Sequence, residues 1–156
     1  MNTQEVDILL VDDSPDDVDL TLHALRSENL SNSVFIARDG EEALDFLFCM
    51  GSHVERSFDH PPKLVLLDLK LPKVDGMEVL EKVKADIRTK NIPVVLMTSS
   101  KEEKDRISGY ALGVNSYLQK PVDFGEFRKM VKLAGLYWLV TNQPPVNTGK
   151  SQAADR

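Results

Sequence analysis

The chain has 156 residues, enough for one domain with a full hydrophobic core and too few for a second domain of ordinary size. A formal net charge of −6 at pH 7 gives no overall attraction for nucleic acid or an anionic membrane; Lys101, Lys104 and Arg106 are the nearest thing to a local basic patch. The single cysteine, Cys49, excludes an internal disulfide framework, and neither a basic leader nor an apolar run of membrane-spanning length is present, so the expectation is a soluble cytoplasmic domain.

Apolar strand-like runs alternate with helix-like periodicity five times, which predicts successive βα units on a parallel sheet. The first strand spans about Val6–Val11. Ser14-Pro15-Asp16-Asp17 then opens a helix, with Ser14 as N-cap, Pro15 in the first turn and acids at the positive end of the dipole. Val18, Leu22 and Leu25 give that helix one apolar face. The second strand spans about Ser33–Ala37, and Asp39-Gly40-Glu41-Glu42 starts a second helix with Ala43, Phe46, Leu47 and Met50 inward. A long polar stretch, 51–63, follows; it reads either as a functional loop or as a tolerated surface insertion. The third strand is about Leu64–Leu67, followed by a turn at Pro72 and Asp75-Gly76 and a helix with Met77, Leu80, Val83 and Ile87 inward. The fourth strand is about Val94–Met97, with a helix from near Lys101 to Gly113. The fifth strand is about Ser116–Gln119, with a helix from about Phe124 to Thr141. The domain is expected over 1–143, and the polar segment 144–156, with Pro144-Pro145, as a disordered tail.

Four of these apolar runs end in a polar group. Ile8–Val11 leads into Asp12-Asp13, Leu64–Leu67 into Asp68, Val94–Met97 into Thr98, and Ser116–Gln119 into Lys120-Pro121. In a parallel α/β sheet the C-terminal strand ends share one edge, where ligands bind, and the order 2-1-3-4-5 makes strands one and three neighbours at the switch point. Three carboxylates, a hydroxyl and an ammonium would therefore converge, as suits a hard cation and a phosphoryl group. Each part also has a plainer use. Asp12-Asp13 could cap a helix, although Ser14 is the better cap and leaves two acids in surplus. Thr98 could cap the next helix, Lys120 could be a solvated edge residue, and Tyr117 a half-buried strand aromatic. Adjacent acids repel, and a divalent cation such as Mg²⁺ relieves that repulsion with one or two carboxylates. Asp68 is either a third ligand or a nucleophile that takes up a phosphoryl group as an aspartyl-phosphate.

The Asp12-Asp13 pair, Asp68, Pro72 and Gly76 beyond it, Thr98 and Lys120-Pro121 together resemble the receiver domain of two-component response regulators, over about Asp7 to Leu139. The resemblance implies a flavodoxin-like doubly wound five-stranded parallel sheet, (βα)5, with strand order 2-1-3-4-5. It implies that Asp68 is the phosphoacceptor and that Asp13, Asp68 and the main-chain carbonyl of Lys70 bind Mg²⁺, for which Mn²⁺ can substitute, with Asp12 helping through water. It implies that Thr98 and Lys120 hold phosphoryl oxygens, that the Lys120–Pro121 bond is cis, and that Tyr117 is the switch aromatic. Thr98 and Tyr117 would then move together and bias the surface of the fourth helix, fifth strand and fifth helix. The donor is a histidine kinase, and the chain modifies only itself rather than turning over an external substrate.

Most relatives of that kind carry an effector domain, so this chain is expected to act through its own surface. On the fifth helix Phe127, Met130, Val131, Ala134 and Trp138 share one face, while Leu133, Leu136 and Val140 fall on the opposite side. A helix apolar all round is covered all round, and homodimerisation through that outer side is preferred to cover by the tail. The helix end Gly135-Leu136-Tyr137-Trp138-Leu139, the exit Asn142-Gln143-Pro144-Pro145 and the long loop resemble the stand-alone receivers paired with bacterial phytochrome histidine kinases. Three alternatives compete. A phosphohydrolase of the haloacid dehalogenase kind would need an Asp-x-Asp motif after the first strand, where Asp12-Asp13-Ser14 stands. A receiver fold that has lost its chemistry would lack part of the acid set or the lysine. A flavin-binding protein would need a phosphate cradle where Asp12-Asp13 would repel the phosphate.

Overall fold

The computed structural model describes residues 6–27, 33–98, 112–114, 116–120 and 123–133, with no side-chain detail for 27, 124 and 130–133. The elements are β1 (Ile8–Val11), α1 (Pro15–Ser27), β2 (Val34–Ala37), α2 (Gly40–Leu47), a 3₁₀ turn (Gly51–His53), β3 (Leu64–Asp68), α3 (Gly76–Ala85), β4 (Val94–Thr98), β5 (Ser116–Gln119) and α4 (Phe124–Leu133). α4 is the fifth helix expected from the sequence. The fourth falls on 101–111, outside the described residues, as do the far half of the fifth helix and the segment 144–156.

The five strands form one parallel sheet in the order β2-β1-β3-β4-β5, as expected. β1, β3 and β4 are buried along their whole length, which is why they read as unbroken apolar runs rather than alternating ones. Their side chains divide between two cores. Ile8, Leu10, Leu66 and Met97 face the side of α1 and α4, where they meet Val18, Leu25 and Phe127. Leu9, Val11, Leu67 and Leu96 face α2 and α3, where they meet Phe46, Val79, Leu80 and Val83. The sheet is thereby fixed from both faces, and the positions of its strand ends are rigid.

Two inward assignments are corrected. α2 stops at Leu47, and Cys49 follows with a positive φ of 57°, so Met50 turns out to solvent at 47% exposure. α3 stops at Ala85, where Thr89 Oγ1 donates to the carbonyl of Val83 at 2.7 Å, and Ile87 lies in the following turn, 78% exposed. The apolar periodicity runs past both helix ends, but the backbone does not. The long stretch 51–63 packs back on the domain: Arg56 lies 3.7 Å over the Phe46 ring and donates to the carbonyls of Phe46 and His60, and His53 sets its edge against Phe35 and Phe46. It enters β3 at the N-terminal edge of the sheet, opposite Asp68.

Candidate functional site

The parallel register aligns Val11 with Leu67, so the next residues, Asp12 and Asp68, leave neighbouring strands side by side. One oxygen from each of Asp12, Asp13 and Asp68 lies within 4.8 Å of the others. Asp12 and Asp68 are buried, and Asp13 is exposed at the mouth. Asp12 Oδ1 also accepts the Ser14 N–H at 3.1 Å, and Ser14 Oγ accepts the Asp17 N–H at 3.3 Å. Ser14 is thus the α1 cap, and the turn that it starts holds the Asp12 carboxylate in place.

Lys120, at the end of β5, reaches across the cluster. Its N–H donates to the carbonyl of Thr98 at 3.0 Å, which fixes its backbone against the end of β4. Its Nζ lies 2.9 Å from Asp12 Oδ2, 2.9 Å from Asp17 Oδ2 and 3.0 Å from Asp68 Oδ2, with the side chain 7% exposed. Lys120 Nζ donates hydrogen bonds to Asp17 and Asp68, and Asp12 faces it as an ion pair whose Oδ2 takes no well-directed hydrogen bond. Burial alone would lower the lysine's pKa, but its close contacts with the Asp12, Asp17 and Asp68 carboxylates overcome that and hold it above the ordinary value. Burial pushes Asp68 up to about 6; the hydrogen bond and charge of Lys120 oppose this, and the charge of Asp12 adds to it. At neutral pH the carboxylate is still largely ionised, a state a nucleophile needs.

Around Asp68 the backbone is closely fitted. The Lys70 N–H points to Asp68 Oδ1 at 3.4 Å, and the Gly76 N–H donates to the carbonyl of Leu69 at 3.0 Å. A Cβ on Gly76 would stand 2.2 Å from the Asp68 carbonyl oxygen, so only glycine lets α3 begin there. Thr98 is buried at the end of β4, and Tyr117 is half-buried on β5 opposite Leu96. Of the residues expected from sequence, Asp12, Asp13, Asp68 and Lys120 come together, and Thr98 ends the adjoining strand. Pro121, Leu136 and Val140 lie outside the described residues, and Leu133 is described only as backbone.

Asp17 was missed. An acid in the first turn of a helix is explained by the dipole, which hid its second use; the available signal was its place one turn after Asp13, facing the same strand ends. The donor set is all oxygen, compact and acidic, and so fits a hard divalent cation held by Asp12, Asp13 and Asp68.

Residues 8–132 match the model of the response regulator receiver domain. Response regulator Rcp1 of Synechocystis sp. is 41% identical over 134 residues, covering 86% of this chain and 89% of that protein. The crystal structure of its Mn²⁺-bound form aligns with a TM-score of 0.72, covering 92% of this chain and all of that one. The bacteriophytochrome response regulator AtBRR is 50% identical with a TM-score of 0.78, over 87% of this chain and 96% of that one. The phosphorylated cyanobacterial phytochrome response regulator RcpA is 37% identical with a TM-score of 0.72, over 92% and 100%. Among the described residues no helix is long and apolar enough to cross a membrane.

Proposed function

Because the chain belongs to the response regulator receiver family, we propose that it accepts a phosphoryl group at Asp68 from the phosphohistidine of a histidine kinase. The observation that carries this reading is the Asp68 carboxylate held by Lys120 at 3.0 Å beside the acid pair Asp12-Asp13. An Asp68 oxygen attacks phosphorus, the P–N bond to the imidazole breaks, and the imidazole nitrogen keeps the electron pair. Lys120 stays beside the new acyl phosphate and gives a charge-assisted hydrogen bond to a phosphoryl oxygen, and the Thr98 hydroxyl donates to another. Asp12, Asp13, Asp68 and the Lys70 carbonyl would hold a divalent cation, Mg²⁺ with Mn²⁺ as substitute, which would neutralise charge that develops on the phosphoryl oxygens.

In this reading 1–143 is the receiver and 144–156 a tail without a core of its own. The domain is cytoplasmic, beside its kinase. Thr98 and Tyr117 carry the phosphorylation state to the surface at β5 and the helix after it. The likeness to AtBRR and RcpA, both named as phytochrome response regulators, supports a bacterial phytochrome as the kinase, and Leu133, Leu136 and Val140 are the proposed homodimer contact. The test is phosphotransfer from an autophosphorylated bacteriophytochrome. Label should move to the wild type and not to Asp68→Asn; transfer to Asp68→Asn at the wild-type level contradicts the reading. Sedimentation of Leu136→Glu and wild type at tens of micromolar tests the dimer, which fails if the wild type is monomeric.

A further inference from the structure

The Lys120 ammonium lies within 3.0 Å of three carboxylates and donates to two of them, Asp17 and Asp68, and the three differ in what holds them. Asp12 is fully buried, and its other oxygen is tied to the Ser14 N–H. Asp68 is the reacting group of the proposed transfer. Asp17 belongs to neither the acid cluster nor the strand ends. It is fixed through its own N–H to Ser14 Oγ, and its side chain is 33% exposed at the rim. It meets Lys120 from α1, whereas Asp68 meets it from the end of β3.

We propose that Asp17 is a positioning residue for phosphoryl transfer: it accepts the one Lys120 hydrogen bond that does not go to the reacting Asp68, and so holds that ammonium over Asp68. The inference rests on the reading of Asp68 as phosphoacceptor. A lysine side chain has four rotatable carbons, and a single hydrogen bond to Asp68 leaves its ammonium free to turn. The second hydrogen bond, to Asp17 on α1, restricts that turning. The direction of pull matters in the transfer itself. When the Asp68 oxygen bonds to phosphorus it loses its charge, and the P–N bond of the donor breaks with its electron pair leaving on nitrogen. Lys120 must then turn one N–H from Asp68 to a phosphoryl oxygen. With the hydrogen bond to Asp17 kept, only that one donor changes partner, and the reorientation is small.

The test uses the full chain with phosphoramidate and saturating Mg²⁺. Asp17→Ala should lower the maximal rate of phosphorylation about three- to tenfold at unchanged half-saturating phosphoramidate, because Asp17 touches no donor atom. Asp17→Asn keeps an acceptor oxygen in the same place and should recover most of the loss. In a Lys120→Ala background, Asp17→Ala should cost nothing further, since both act through one contact. Unchanged rates in Asp17→Ala, or an equal loss with and without Lys120, would overturn the proposal. The Lys120 ammonium signal in a ¹⁵N-lysine spectrum gives a second readout that needs no phosphorylation. It should be protected from solvent exchange in the wild type and lose protection in Asp17→Ala; equal protection in both would also overturn the proposal. If the wild type takes up no phosphoryl group at all, it is the reading of Asp68 that fails, and the ammonium signal alone decides whether Asp17 anchors Lys120.

Discussion

The two edges of the same sheet handle charge in opposite ways. At the N-terminal edge, Lys63 and Asp7 sit 3.6 Å apart, each about one-third exposed, among Pro61, Pro62 and Pro93. At the C-terminal edge, Lys120 and Asp12 are 2.9 Å apart and almost wholly removed from water, with Asp68 and Asp17 on the same ammonium. An exposed pair is worth little and costs little, whereas buried charges carry a desolvation cost that their mutual attraction only roughly offsets. Both edges are built by the same parallel strands, so the fold does not require buried charge at its C-terminal side. Stability would be served as well by apolar residues there. A cluster kept at that cost is explained by chemistry.

The sharpest way to break this contrast is Lys120→Ala. It leaves Asp12 and Asp68 buried without their cation and should destabilise the chain in metal-free buffer by about 3 kcal/mol. Urea unfolding measures this, and added Mg²⁺ should restore part of it. Next is Gly76→Ala. Its methyl meets the Asp68 carbonyl oxygen at 2.2 Å, so the start of α3 must shift, at about 2 kcal/mol, and phosphoryl uptake should fall with it.

A smaller effect comes from pH. Asp68 is held near 6 in the fold against about 3.8 unfolded, so between those values the native state binds more protons than the unfolded one. Its contribution to stability is present below about 4 and is lost as pH rises through about 6. In metal-free buffer at neutral pH, Asp68→Asn should therefore be more stable than the wild type, by on the order of 1 kcal/mol after allowance for water at the mouth of the site. A wild type that gains stability from pH 4 to 6 relative to this variant would show the opposite sign. Smallest is Lys63→Ala, at about 0.5 kcal/mol or less, fading with salt. A loss there as large as at Lys120 would erase the contrast between the edges.

Much of the candidate site is readable in the sequence because four of the five strands end in or run into a polar residue that belongs to it or adjoins it. A buried parallel strand is an unbroken apolar run, so the first polar residue after it marks the sheet edge, as at Asp12, Asp68 and Thr98. The strand order then brings distant positions together, and the family resemblance supplies that order. What escaped the sequence depends on how helices begin and end. Met50 and Ile87 continue an apolar period, but the turn at Cys49 and the Thr89 cap end the helices first. Asp17 escaped because its place in the first turn of α1 already had a sufficient local reason, and only three-dimensional closure shows its contact with a lysine 103 residues away. The phosphohydrolase, flavin and chemically silent alternatives weaken on the same geometry. The acid set and its lysine are together, and residues 8–132 match the receiver-domain model.

The most direct test of the central claim is the intact mass of the chain after incubation with acetyl phosphate, with and without Mg²⁺, beside Asp68→Asn. One phosphoryl group should be added to the wild type, dependent on Mg²⁺ and absent from Asp68→Asn. No addition to the wild type under any condition, or equal addition to Asp68→Asn, would contradict that claim.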